Sequence, residues 1–367
     1  MAKLFFPSTL FRAVIPVTAA LLLLNACGKS DDGTDNNGNS TDEFKKEMLV
    51  NYADNIIQPG YVQLKTSLAD LKTKVAVLLS APSASTQANV KPSFQAAYQA
   101  FEAVSLPYFG PAAAQMLNNT LNTFPPGISK IESGIASGNY DLTLPITSDS
   151  LQGFPALDYL IFGEGAVDKL ADPVSGQNRK QYINDVLERM QLLTDNTINQ
   201  WAAGYRNTFI NSLKTDVGSS IGFLINQLAF EMDALKGPRI GWPFGKQSNG
   251  IVFADKAEGY YSAISKELAV ANLNAVKQYY TGGSAKGIDD YLDLLGKTTL
   301  NDDVLAQFTV AINALQAIPA PLSAAFTGSP ATVEAAYKEI QKLLTLLKTD
   351  VASATGVQIN YMDNDGD

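Results

Sequence analysis

The side chains best placed to do chemistry are Asp158, Glu231, Arg239, Glu258, Ser262 and Ser265. Asp158 lies in Gly153-Phe154-Pro155-Ala156-Leu157-Asp158-Tyr159-Leu160-Ile161-Phe162-Gly163. One carboxylate neither fixes a metal nor completes an acid/base pair, so Asp158 alone is a poor catalytic constellation. Glu258, Ser262 and Ser265 are spaced four and three apart and share one face if that stretch is helical. Such a face can line a cleft or meet solvent, and spacing alone favours solvent. Arg239 follows Glu231 in a run, Glu231 to Lys246, that starts as a helix and ends in a loop rich in Gly and Pro. Loops this constrained hold a fixed shape. Its guanidinium fork suits a ligand carboxylate, or equally a neighbouring acid of the chain.

The chain contains no histidine. That excludes a Ser-His-Asp triad, a Cys-His pair, an H-E-x-x-H zinc helix and a His-ligated haem. Any metal must sit among carboxylates, carbonyls and waters, which favour hard cations, or ferric iron if Tyr joins them. The C-terminal Asp363-Asn364-Asp365-Gly366-Asp367 has the D-x-D-G-D opening of a calcium loop without the rest of an EF-hand ligand series. A charged acidic tail over 361–367 is expected.

Cys27 is the single cysteine, which excludes an intramolecular disulfide. Lys3 and Arg12 precede an apolar run from Ala13 to Leu24 that suits a signal-peptide core and is shorter than the ~20 residues of a membrane-spanning helix. Leu24-Asn25-Ala26-Cys27 resembles a bacterial lipobox, which makes 1–26 a signal peptide and Cys27 the lipidated residue; an ordinary signal peptide with an incidental cysteine is the alternative. Residues 27–42, rich in Asn, Gly, Ser and Thr, read as a flexible tether. Acidic residues just after Cys27 resemble a lipoprotein surface-export signal. The expected location is therefore the cell envelope, lipid-anchored to the outer membrane and either periplasmic or surface-exposed. Removing Lys3 and Arg12 leaves 25 basic against 36 acidic residues, a net of −11. A surface of that sign repels phosphate backbones, so nucleic acid is not expected as a partner.

The elements that must position these residues are helices. Met48, Tyr52 and Ile56 form one apolar face, and Tyr61, Leu64, Leu68, Leu71, Val75 and Leu78 form another after a break at Pro59-Gly60. Phe94, Tyr98, Phe101 and Ser105 keep the period, and a long helix is expected from near Gln181 to Leu213. Further helical stripes follow at Tyr261 to Ala275, Val304 to Leu315 and Val333 to Leu347. Period-two alternation is scarce, so the fold is expected to be all-α, two packed antiparallel helical bundles. Pro/Gly punctuation marks connections at 81–83, 109–111, 124–127, 171–173 and 319–321. The stretch Lys214 to Ser220 is a candidate junction, giving bundles over 43–216 and 217–360. In the Gly153 segment, Pro155 suits a first helical turn, Asp158 puts charge near that turn's N–H groups, and Gly163 is a stop.

That segment resembles the signature of the imelysin family, G-x-H-x-x-E followed by an apolar run ending in glycine. Here Pro155 stands at the histidine position and Asp158 at the glutamate position. Arg239, Gly241, Pro243 and Gly245 match the family's Arg-x-Gly-x-Pro-x-Gly loop after an acidic helix end, and Glu258, Ser262 and Ser265 match its E-x-x-x-S-x-x-S segment. Asn51 to Tyr61 is similar to its first helix and Phe109-Gly110-Pro111 to its F-G-P, so the likeness spans most of Asn51 to Leu347. The resemblance implies a duplicated helical bundle and an association with iron uptake or with metallopeptidase activity. A pocket between the bundles would gather Gly153, Pro155, Asp158, Glu231, Arg239, Glu258, Ser262 and Ser265. With Pro155 offering no ligand atom, the expected function is a non-enzymatic envelope binding protein for nutrient, above all iron, acquisition. Its ligand would be a small molecule, metal chelate, peptide or glycan, and an outer-membrane transporter its partner. No cofactor is required, and iron or another hard cation is the expected metal if there is one. The alternatives are a metallopeptidase, or an interaction module that has lost its ligand.

Overall fold

The structure, a computed structural model, describes residues 36–360. The described chain is all-α. Its principal helices are α1 (Asn36–Asn51), α2 (Gln58–Ser80), α3 (Ala84–Ser105), α4 (Gly153–Phe162), α5 (Gly176–Gln200), α6 (Ser220–Ala234), α7 (Ser265–Thr281), α8 (Thr298–Gln316) and α9 (Pro330–Thr345). In the first half α2 packs on α3 and α5, and α4 lies across α3 and α5. In the second half α7 and α9 flank both α6 and α8. The two halves meet where α3 packs along α7, and one continuous apolar core runs from Met48 to Val357.

The apolar periods explain this arrangement. Every member of the Tyr61 to Leu78 stripe is buried, as are Phe94, Tyr98, Phe101 and Ser105. Pro59 does not break the chain into a loop. It sits in the first turn of α2, where its missing N–H is not needed, and the irregularity falls just before it as a π-helical turn over Tyr52–Ile57. The expected Gln181 to Leu213 helix starts earlier, at Gly176, and is interrupted by a π-helical turn, Trp201–Tyr205, in which Gly204 has a φ of 148°. The non-helical link Asn211 to Ser219 leads to α6, whose first turn Ser219 caps by accepting from the Gly222 N–H at 3.0 Å. Each of the five Pro/Gly connections expected from sequence falls between or at the ends of helices.

Helix α1 begins at Asn36, inside the stretch read as a tether. Phe44 stacks against Tyr291 at 6.2 Å, so burial of that ring orders the helix on the second half. Cys27, the lipobox, the signal peptide and the 361–367 tail lie outside the described residues.

α4 begins at Gly153 because only glycine fits there. Its φ is +75°, and a Cβ would stand 2.3 Å from the Leu121 carbonyl oxygen. That approach seats Phe154 among the α3 aromatics, stacked on Tyr98 at 4.3 Å. The helix ends as expected at Gly163, whose N–H donates to the Tyr159 carbonyl at 2.9 Å. Gly153→Ala is therefore expected to cost about 2–4 kcal/mol in urea unfolding, from strain plus the backbone clash. Gly218→Ala, at a φ of +88° with nothing within 4 Å, is expected to cost only about 1 kcal/mol.

Candidate functional site

The residues singled out by sequence converge where α3, α4, α6 and α7 meet the irregular segments Leu235 to Gly241 and Ala257 to Ile264. Their arrangement differs from a helix face. Glu258 and Ser262 lie in a turn, not on a helix, and only Ser265 is helical, as the first residue of α7. All three are nonetheless buried, which corrects the solvent-facing alternative. The turn reverses the chain through Gly259 (φ +61°) and Ala263 (φ +57°), so spacing on an ideal helix does not describe it.

Arg239 is the centre of the cluster. It sits in a π-helical turn, Leu235–Gly241, that continues α6. Its Nη1 donates to Glu102 Oε2 at 2.6 Å and to Glu258 Oε2 at 2.8 Å, while Nη2 lies 3.8 Å from Glu231 Oε2. The guanidinium expected to orient an anionic ligand is thus held by acids of the chain itself, the alternative the sequence left open. Asn272, on α7, donates to Glu102 Oε2 at 3.0 Å and to Glu231 Oε2 at 2.9 Å. Asn122 donates to Glu258 Oε1 at 2.6 Å and accepts from the Tyr98 hydroxyl. The loop after Arg239 does hold a fixed shape: the Phe253 N–H donates to the Pro243 carbonyl at 2.9 Å, and Gly245 turns at a φ of +94° against Gly250.

Glu102, Asn122 and Asn272 were missed in the sequence. A signal existed for Glu102, which stands four residues after Tyr98 in the phase of the buried stripe, where an acid must find a partner. Asn272 follows Leu268 at the same interval. Asn122 closes a short helix and carries no such signal.

Three glutamates around one arginine leave the buried cluster with more acids than bases. Burial pushes the Glu102 carboxyl well above the usual range; Arg239 opposes this, and the neighbouring Glu258 adds to it. The Oε2 of Glu102 accepts from both Arg239 and Asn272, and its Oε1 is buried without a hydrogen-bond partner. Glu102 and Glu258 share the same guanidinium nitrogen.

Asp158 works separately. Expected to serve the first turn of its own helix, it instead accepts from the Tyr261 N–H on Oδ2 at 2.9 Å and from the Ser262 N–H on Oδ1 at 2.8 Å. Both oxygens are thus engaged by the turn that carries Glu258. Burial raises its carboxyl to about 6 despite these bonds. Pro155, buried one turn earlier, supplies shape and no ligand atom. Among the described residues no group of three or more Asp, Glu, Cys or His side chains is arranged to hold a metal ion. Beside the turn, the half-buried rings of Tyr260 and Tyr261 meet edge to face at 5.2 Å, and Tyr261 packs on Tyr159 at 5.4 Å.

Two outcomes follow in unfolding experiments. Arg239→Met leaves buried acids without their base and is expected to cost about 3–5 kcal/mol, whereas Glu102→Gln, which keeps an oxygen to accept from Arg239 and Asn272, should cost about 1 kcal/mol. Equal losses would contradict Arg239 as the centre of the cluster. For Asp158, a raised folded pKa means the native state binds the proton more tightly than the unfolded chain. Its contribution is therefore complete below about pH 4 and is lost as pH rises through about 6. The stability difference between wild type and Asp158→Asn should shrink over that window, and a difference independent of pH would refute the assignment.

The imelysin family model (Peptidase M75) matches residues 57–350. The fold is similar to the crystal structure of a protein described as an iron-regulated protein A precursor from Parabacteroides distasonis ATCC 8503. That match has a TM-score of 0.73 at 20% identity and covers 86% of this chain and 95% of that one. It is also similar to an imelysin-like protein from Psychrobacter arcticum 273-4, with a TM-score of 0.69 at 18% identity, covering 87% and 98% of the two chains. No curated protein matches the chain. The match over residues 57–350, together with the altered but legible Gly153 to Gly163 frame, places this chain in the imelysin family.

Proposed function

We propose that this chain is a non-enzymatic binding protein of the cell envelope that takes part in nutrient acquisition, with iron or an iron-bearing chelate as its cargo. The observation that carries the non-enzymatic reading is the engagement of Asp158. Metal-assisted hydrolysis needs a ligand set with an open position and a base near the bound water. Here both Asp158 oxygens accept backbone N–H groups, Pro155 has no donor atom, and Glu258 is tied to Arg239 and Asn122. These acids hold the two halves together.

The accessible part of the seam is tyrosyl. Tyr260 and Tyr261 are half-buried on the turn that Asp158 fixes, and phenol oxygens suit ferric iron or the hydroxyls of a chelate better than a softer ion. The iron reading draws support from the name of the Parabacteroides protein, described as iron-regulated, and from the acidic composition of the mature chain. Anchoring through Cys27 would keep the protein at the membrane, where a transporter could receive the cargo.

Calorimetry with ferric chelates, bare ferrous salt and a polypeptide substrate tests this reading. Saturable binding of a chelate, weakened by Tyr261→Phe, with no metal-dependent cleavage, is expected. Metal-dependent proteolysis abolished by Asp158→Ala would overturn it.

A further inference from the structure

We propose that the groove between α3 and α7 is a second binding site, one for a cationic ligand that carries an ammonium or guanidinium group beside amide-like polar groups. It goes beyond the iron reading and stands or falls separately from it. The groove has a volume of about 550 Å³, within the ~300–1,000 Å³ of small-ligand sites.

Glu267, in the first turn of α7, lines the groove. Its Oε2 is shielded from solvent and has no hydrogen-bond partner. That oxygen is closed to a ligand as it is to water; the half-buried Glu267 has no ion pair with a described base, so a ligand cation in the groove would be met by the other oxygen of its carboxylate. The adjacent base does not pair with Glu267, because Lys266 Nζ instead donates to the Ile318 carbonyl at 3.0 Å.

The other polar groups are amides. Gln99 from α3, Asn274 and Gln278 from α7 and Gln316 from the end of α8 line the same groove, and none of their side chains bonds to another described residue. Each amide offers donors and an acceptor together, the pattern a peptide group complements. Ala103, Ala271 and Ala275 leave a small, apolar floor that admits the methylene stem of a basic side chain. The acidic chain as a whole favours approach of a cation. A neutral sugar would satisfy the amides and leave Glu267 without a counter-charge.

The groove is separate from the Arg239 cluster. Glu102 and Asn272 are chain neighbours of Ala103 and Ala271, yet they are fully buried and bonded to each other, on the inner side of the same two helices. A ligand can therefore occupy the groove without disturbing them.

Titration calorimetry on the full chain tests the proposal with three probes: a blocked Gly-Arg-Gly tripeptide, its citrulline analogue and free L-arginine. A cationic probe is expected to bind saturably, with the citrulline peptide and the variant Glu267→Gln each weakening binding about tenfold or more. Gln278→Ala, at an exposed position, should weaken it several-fold without touching the core, and the remote Asp70→Asn should leave it unchanged. Thermal unfolding of each variant confirms that the fold is kept. Tighter binding of the tripeptide identifies a basic peptide as the source of the cation, and tighter binding of free arginine identifies a free amino acid; either supports the site. Equal binding of the citrulline peptide, an unchanged affinity in Glu267→Gln together with Gln278→Ala, or no binding of either cationic probe overturns it.

Discussion

Burial of one guanidinium among three glutamates is the constraint on which this structure depends. Removing such charges from water costs several kcal/mol per ion, recovered only where geometry and hydrogen bonds are nearly complete. Here the partners come from α3 (Glu102), α6 (Glu231), the turn before α7 (Glu258) and α7 itself (Asn272), so the cluster is complete only when both halves of the chain are in place. Asp158 adds a second tie from α4 to the same turn through two backbone N–H groups. Polar contacts of this kind fix which surfaces meet, whereas the apolar stripes around them supply most of the driving force.

The segment that resembles the imelysin signature has a structural role in this chain. The frame from Gly153 to Gly163 keeps the parts that build a helix against a close neighbour: a glycine where no Cβ fits, an aromatic seated among the rings of α3, and a stop at Gly163. What has changed is the pair of side chains that could act on a ligand. A pyrrolidine ring occupies one position, and at the other a short acid bonds to backbone from the opposite half.

Much of the fold was legible because helical burial leaves a periodic mark. The stripes from Tyr61 to Leu78 and from Phe94 to Ser105 predicted their own burial, and proline and glycine marked the connections. Irregular backbone was not legible. The π-helical turns at Tyr52–Ile57 and Trp201–Tyr205 lie beside Pro59 and around Gly204, residues that mark a break in a helix without saying what form it takes. The site was half legible for the same reason. Arg239 and Glu258 stood out beside glycines and prolines, but their partners in the first half, Glu102 and Asn122, lie more than a hundred residues away. Glu258, Ser262 and Ser265 illustrate the reverse error, because helical spacing was assigned to a stretch that turns.

The central claim is that Asp158 and Glu258 are engaged by the chain itself and hold the two halves of the fold together. Carboxyl carbon resonances of Asp158, Glu102 and Glu258, followed in ¹³C-labelled protein during addition of Mn²⁺, test it most directly. The account predicts that all three stay sharp and unshifted at concentrations that broaden exposed carboxylates. Selective, saturable broadening of the Asp158 and Glu258 signals would contradict it.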